Sequence, residues 1–382
     1  MRARWHDARL IVTQCTWRAR SLSAFYYRKS LIHRRESALN LRLALVGFGN
    51  VAREFSRLLL SRREWLLRER GLGFKVVAIS TRSHGSLMSE EGLNLERILK
   101  LREESGTLSG YGPGSTDLST PEIIAGCDAD LMVELTTLDI GSGRPATDYV
   151  RAALEAGMSV VTANKGPVAF AYDELSSLAL SRGVHFRFEG TVMDGAPVFS
   201  LVERTLPGCE VIGIRGLLNT TSNVVLGEMA RGASMDEALD VARRIGVTEE
   251  DSSLDIDGWD AAVKIAALAN VLMGAGTNPR KVDRTGIRGI STGDALKAAG
   301  RGMKHRLIAG AERSGGAVRT RVRPELVGPD DPFWSVDGTS SAVTLETDLM
   351  GELTMVERDP TLAQTAYAVF SDILLIADAL RN

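Results

Sequence analysis

The chain has 382 residues, of which 44% are hydrophobic and 25% charged, with a formal net charge of -2. That length carries two ordinary domains, each with its own core. The near-balanced charge excludes a bulk electrostatic case for nucleic acid or an anionic membrane surface. Cys15, Cys127 and Cys209 are widely spaced and form neither a disulfide framework nor a metal-spacing pattern, which points to a reducing, cytoplasmic setting. No uninterrupted apolar run of about 18 residues occurs, so no membrane span is expected.

Residues 1–40 are different in kind. They hold eight arginines and one lysine against one aspartate and one glutamate. A compact apolar stretch and a small-residue cleavage site are both missing, so this is not a secretory signal. The expectation is a disordered tail or sequence upstream of the true start, with an organelle-targeting leader as the alternative. The recognisable fold is expected to begin at Leu41.

Leu41–Val46 reads as a buried strand and Val51–Glu69 as a helix, with a further apolar stretch at Phe74–Ser80. Between the first two lies a glycine-rich turn, Gly47, Gly49 and Ala52. Gly47 permits the tight turn, Gly49 leaves room for a pyrophosphate, and Ala52 lets helix and strand pack closely. The plain alternative is a strand-turn-helix that uses glycine for its turn alone. The second strand ends without the acidic residue that selects NAD. Arg82, with Ser80, Thr81 or Ser83, is placed to meet a 2'-phosphate instead, or is a surface arginine.

Residues 84–120 read as a surface excursion around one helix, Leu93–Arg102. Asp130–Leu135 reads as a strand ending in Thr136 and Thr137. A helix at Ala146–Ala156 follows, then a strand at Ser159–Thr162 ending in Ala163, Asn164 and Lys165. Chemistry in open α/β sheets collects beyond such strand ends. Lys165 is therefore a candidate catalytic ammonium, against the alternative of a lysine snorkelling from a strand end. After a helix near Tyr172–Ser181, strand-like stretches alternate with the helices MDEALDVARRIG and GWDAAVKIAALANVLMG. They suggest a second, mixed domain over 171–350. A final amphipathic helix, Leu362–Leu380, is expected to return to the first.

The densest polar cluster is GVTEEDSSLDIDGWDAAVK, with Glu249, Glu250, Asp251, Asp255, Asp257, Asp260 and Lys264. Asp260 and Lys264 lie four apart on one helix face. They form either an exposed ion pair or one wall of a cleft that binds an ammonium group and presents a lysine to a reacting oxygen. The histidines offer little: His84 falls in the excursion, His185 in an apparent strand, and His305 on a basic helix. No Cys-His constellation suggests zinc.

Together these motifs resemble homoserine dehydrogenase. The resemblance runs through nearly all of 41–382 and rests on GFGNVA, VTANKGP at 161–167, FEGTVMDGAP at 188–197, GLLNTTSNVVL at 216–226, the acidic segment at 245–264 and GIRGIS at 286–291. It implies NAD- or NADP-dependent interconversion of L-homoserine and L-aspartate 4-semialdehyde, in threonine, methionine and isoleucine biosynthesis. It also implies an α/β fold, a Rossmann-like NAD(P)-binding domain over 41–170 completed by 351–382. The second domain would be α+β, serving catalysis and dimerisation. Lys264, Lys165 and Asp260 would be catalytic. Glu249, Asp255, Thr221 and Lys264 would hold the substrate. Gly47, Gly49, Asn50, Val51, Arg82, Thr136 and Lys165 would face the cofactor. A sodium ion held by backbone carbonyls would map to Glu189, Val192, Asp194 and Ala196. A short, monofunctional form without an ACT domain, insensitive to threonine, is expected.

The chain departs from the family pattern in four places. Ser252 stands where proline is frequent, Thr220 where glycine is common, and Asp194 replaces a small residue. Glu357, Arg358, Asp359, Pro360 and Thr361 replace a GPGAG-like loop close to the cofactor. Two other readings follow from these departures: a dehydrogenase of another small amino or hydroxy acid, or a catalytically inactive nucleotide-binding homologue.

Overall fold

The computed structural model describes residues 38–248 and 251–381. The basic leader therefore lies outside the described residues apart from its last three positions. The strands in chain order are β1 Leu39–Val46, β2 Leu72–Ser80, β3 Ser86–Met88, β4 Ser115–Thr116, β5 Leu131–Glu134, β6 Ser159–Thr162 and β7 Phe186–Arg187. They continue with β8 Val211–Leu217, β9 Asp283–Arg284, β10 Lys304–Ser314, β11 Ala317–Val327, β12 Ser341–Thr347 and β13 Gly351–Glu357. Five helices position the site: α1 Asn50–Arg70, α2 Lys165–Arg182, α3 Thr220–Met229, α4 Trp259–Met273 and α5 Leu362–Ala379.

The first sheet has the order β4-β3-β2-β1-β5-β6-β7. Its β2-β1-β5-β6-β7 portion is parallel throughout. Parallel strands need helical crossovers that cover both faces. On one face, Phe55, Leu59 and Leu66 of α1 pack with Val369, Phe370, Ile373 and Ile376 of α5. On the other, Val150, Ala153 and Leu154 of the helix Ala146–Glu155 pack with Leu175 and Ala179 of α2. Thus the chain's last helix does brace the first domain. α5 also has the length and composition of a membrane span, which the sequence reading did not foresee, because interrupting polar residues broke the apolar run. Half of it is buried in the protein, and its apolar side belongs to the first domain's core.

The second sheet has the order β13-β12-β8-β10-β11-β9. All its neighbours are antiparallel except β9 and β11. Its core joins Ile214, Ala309, Val322 and Val343 to Val224 and Val225 of α3 and to Ala262, Val263 and Ala266 of α4.

Several sequence expectations change. Residues 84–120 are no mere excursion: β3 and β4 extend the first sheet, and Leu87, Ile98, Leu108 and Tyr111 are buried in its core. The strand in VHFRF is β7, which pairs with β6, so the first sheet runs past residue 170. Conversely β13 pairs with β12, so the second sheet runs past residue 350. His305 lies on β10, not on a helix. The basic residues around it had suggested a helix face, but Lys304 and Arg306 reach Asp337 from that strand.

Candidate functional site

The glycine turn closes on the end of β5. Gly47 has φ +92°, and a Cβ there would meet Leu135 C and O at 2.6 Å and Thr136 N at 2.8 Å. Its N–H donates to Ser80 O across 2.8 Å. Gly47 is thus required by a close approach as well as by a turn. Gly49 is the opposite case, with nothing within 4 Å of the Cβ position. It caps α1 without a side-chain hydrogen bond, and the first turn of that helix carries no acidic residue. Ala52 is fully buried, in keeping with close packing of helix on strand. Open space before an uncovered helix N-terminus suits a pyrophosphate.

At the end of β2, Ser80 is committed to Thr120 Oγ1 at 2.7 Å. Thr81 Oγ1 donates to Gly85 O at 2.7 Å and accepts from His84 N at 2.9 Å. Arg82 and Ser83 remain exposed.

The ends of β5 and β6 are tied by a residue that the sequence reading missed. Glu134 is 0% exposed. One of its oxygens accepts from Thr136 N at 2.8 Å and from the Thr136 hydroxyl, and the other accepts from Thr162 Oγ1 at 2.7 Å. Burial pushes its pKa up, against the pull of those donors. Asn164 Nδ2 donates to Thr136 O at 3.1 Å, while Asn164 Oδ1 accepts from Gly166 N at 2.9 Å and so caps α2. Lys165 is therefore the first residue of a helix rather than a strand end. The signal in the sequence was an acidic residue amid LMVEL.

α4 presents Asp260 and Lys264 on one face, as the spacing implied. Asp260 Oδ1 lies 3.3 Å from Lys165 Nζ, and Oδ2 lies 3.3 Å from Lys264 Nζ. Lys264 Nζ also donates to Leu218 O at 2.5 Å. Burial opposes ionisation of Asp260, yet Lys264 and Lys165 outweigh it and hold the carboxyl far below its usual range. Burial likewise disfavours the Lys264 ammonium, but Asp260 and then Asp194 reverse this and raise its pKa.

Asn219, also missed, joins the two aspartates. Its Nδ2 donates to Asp255 Oδ1 at 2.7 Å and to Asp260 Oδ2 at 3.1 Å, while its Oδ1 caps α3 through Ser222 N at 2.8 Å. Asp255 Oδ2 accepts from Thr221 Oγ1 at 3.0 Å and Thr248 Oγ1 at 3.1 Å. Burial, and then the charge of Asp260, push Asp255 up. Glu249 and Glu250 lie outside the described residues.

A cleft of about 270 Å³ gathers many of these residues. Val51, Thr136, Lys165, Val192, Asp194 and Lys264 line it, with Leu362 and Thr365 from the start of α5. Asn50, Arg82, Asp255, Thr221 and Asp260 do not line it; the last three stand behind Lys264 through the Asn219 network.

Of the positions expected to hold sodium, the side chains serve other ends. The Glu189 carboxylate accepts from Phe199 N at 2.8 Å, from Ser200 N at 2.9 Å and from the Ser200 hydroxyl. Asp194 Oδ1 accepts from Thr365 Oγ1 at 2.9 Å. The Ala196 carbonyl already accepts from Val198 N at 2.8 Å. No group of three or more His, Cys, Asp or Glu residues converges on a metal site among the described residues.

The segment that replaces the glycine loop is a tight link from β13 to α5. Asp359 has φ +44° and accepts from Thr339 Oγ1 at 3.0 Å. Thr361 caps α5 in a box with Gln364. Glu357 Oε1 accepts from Gly195 N at 3.1 Å, directly beside Asp194.

Two family models match this chain. One, described as homoserine dehydrogenase, NAD binding domain, covers residues 47–189, and the other, homoserine dehydrogenase, covers 197–374. The NAD(+)-dependent homoserine dehydrogenase of Pseudomonas canavaninivorans is 35% identical over 336 residues, spanning 88% of this chain and 96% of that one. A homoserine dehydrogenase of Methanocaldococcus jannaschii is also 35% identical, over 89% of this chain and 99% of that one. Among solved structures, a putative homoserine dehydrogenase of Archaeoglobus fulgidus superposes with TM-score 0.78 at 32% identity, covering 88% and 99% of the two chains. A hyperthermophilic archaeal homoserine dehydrogenase in complex with NADPH superposes with TM-score 0.76 at 29% identity, covering 89% and 98%.

Proposed function

The chain belongs to the homoserine dehydrogenase family and is an NAD(P)-dependent homoserine dehydrogenase of amino-acid biosynthesis; we propose that Lys264, Lys165 and Asp260 carry its chemistry. The observation behind this assignment is the single carboxylate shared by two lysines at the wall of the cleft. The bound dinucleotide supplies or accepts the hydride. Every other task falls to the protein.

Lys264 stabilises the negative charge that grows on the substrate oxygen as the carbonyl is reduced. Its ammonium is fixed by Asp260 and the Leu218 carbonyl, so little reorganisation is needed as that charge appears. Lys165 shares the transfer of the hydroxyl proton. Asp260 orients both lysines and stays ionised beside them. Glu249 anchors the substrate's amino group and so fixes which carbon meets the cofactor, and Asp255 and Thr221 shape the substrate pocket from behind Lys264 through the Asn219 network.

Gly49, Asn50 and Val51 receive the pyrophosphate, and Thr136 and Lys165 approach the nicotinamide end. The dinucleotide is NADP or NAD, and one relative is named as NAD(+)-dependent. Arg82 is exposed at the end of a strand that lacks the acidic residue of an NAD site, and a relative of this fold was solved with NADPH. A sodium ion, if bound, rests on the main-chain carbonyls of Glu189, Val192, Asp194 and Ala196, and no step here passes through it. We place the protein in the cytoplasm as a homodimer. Cys127 and Cys209 are free thiols, and the second sheet leaves Leu326 and Val356 exposed. Light scattering in solution reads the dimer directly.

The test is steady-state oxidation of L-homoserine with NAD and NADP in parallel, in the wild type, Lys264→Ala and Arg82→Ala. Full turnover in Lys264→Ala would sink the catalytic assignment. An unchanged NADP-to-NAD preference in Arg82→Ala would remove the 2'-phosphate role.

A further inference from the structure

We propose that Asp194 is a specificity-determining residue, whose carboxylate makes the cleft favour the oxidised, positively charged nicotinamide over the reduced, neutral ring. This rests on the reading that the cleft receives the dinucleotide. Asp194 lines that cleft together with Val51, Leu135, Thr136 and Ala163, the residues at the ends of the first domain's central strands and the start of α1. Lys165 and Lys264 line it too.

Lys165, Lys264 and the Asp260 carboxylate that they share stand beside the space that a ring would enter, and the Asp255 carboxylate bears on Lys264 from behind. Asp194 places a carboxylate on the cleft wall itself. The two redox forms of the ring differ by one hydride, and therefore by one unit of positive charge. A carboxylate at the cleft wall acts on that difference, whereas a neutral ring gains nothing comparable from it.

The carboxylate is also held in place for this role. Asp194 has φ +41°, a conformation unusual for a residue other than glycine. Its Oδ1 accepts from Thr365 Oγ1 at 2.9 Å. It has no salt-bridge partner among the described residues, unlike Asp260. A second carboxylate stands behind it. Glu357 accepts from Gly195 N with one oxygen, and its other oxygen is buried without a hydrogen-bond partner among the described residues.

The decisive measurement is equilibrium binding of the oxidised and the reduced dinucleotide, by calorimetry and nicotinamide fluorescence, to the full chain and to Asp194→Asn. Asparagine tolerates the left-handed backbone and can still accept from Thr365, so the variant removes the charge, and with it the pull of Asp194 on Lys264, while keeping that contact. Asp194→Gly, which suits the same backbone, serves as a second variant. The Kd of the oxidised form should rise roughly tenfold, while that of the reduced form stays within roughly twofold. Equal shifts in both forms, or none, overturn the proposal and leave the cleft as the dinucleotide site. Failure of the wild type to bind either form overturns the cofactor reading, and this proposal with it.

Discussion

Lys165 and Lys264 come from different domains, yet their ammonium groups meet at opposite oxygens of one carboxylate, each 3.3 Å away. Removing that carboxylate should disturb both lysines at once. Asp260→Asn should lower kcat for homoserine oxidation at least ~100-fold, close to the effect of Lys264→Ala. The double variant should then cost little more than either single one, because the groups act as a unit. Additive losses in a kinetic double-mutant cycle would show that Asp260 does not act through Lys264.

The two glycines of the turn should fail in opposite ways. Gly47→Ala forces a Cβ against the Leu135 carbonyl in a left-handed conformation. It should cost about 3 kcal/mol or more in urea denaturation. Gly49→Ala meets no protein atom. It should melt within a few degrees of the wild type, yet bind either dinucleotide at least ~10-fold more weakly. A Gly49→Ala protein with unaltered affinity would move the pyrophosphate elsewhere.

Asp372 gives the stability of the fold a pH slope. It is 2% exposed and accepts from Glu189 N at 2.8 Å. Burial, helped by the nearby Glu189 charge, raises it from 3.8 to about 7. The folded state thus holds a proton that the unfolded chain has lost. The contribution is complete below the unfolded pKa and disappears as pH rises through about 7, with an upper bound of about 4 kcal/mol. Asp260 has the opposite sign, but its carboxyl titrates so low that its contribution stays whole over this window. Urea denaturation at about pH 5 and about pH 8 should show the wild type less stable at the higher pH, and Asp372→Asn should flatten that difference. An equal slope in the variant would assign the effect to other groups, Glu357 among them.

Asn219 should matter to both stability and turnover. It caps α3 and donates to two carboxylates. Asn219→Ala should cost about 1 to 2 kcal/mol through the cap. It should also raise KM for homoserine, because Asp255 loses a donor that holds it. A variant with the stability loss but unchanged KM would confine Asn219 to capping.

Much of this arrangement was legible in the chain. The Asp260–Lys264 face follows from helical spacing, and the β1–α1 turn from three small residues. Lys165 was legible as a strand-end residue, but its place at the head of α2 was missed, although Asn164 caps that helix through Gly166 N only two residues on. Glu134 and Asn219 escaped notice because their partners, Thr162 and Asp260, lie far along the sequence and become neighbours only through the sheets. Residues 84–120 looked soluble because their apolar residues are scattered among glycines and charges. Two short strands gather those residues into the core.

The helix α5 lies against α1, although some three hundred residues separate them. During synthesis the apolar flank of α1 leaves the ribosome long before its cover exists. At roughly 5 to 20 residues per second, that interval lasts tens of seconds. Throughout it the cleft also lacks Leu362 and Thr365. A nascent chain therefore carries that apolar flank bare, and its cleft unwalled on one side, until α5 emerges. Chaperones that shield exposed apolar surface have their longest opportunity on this first domain.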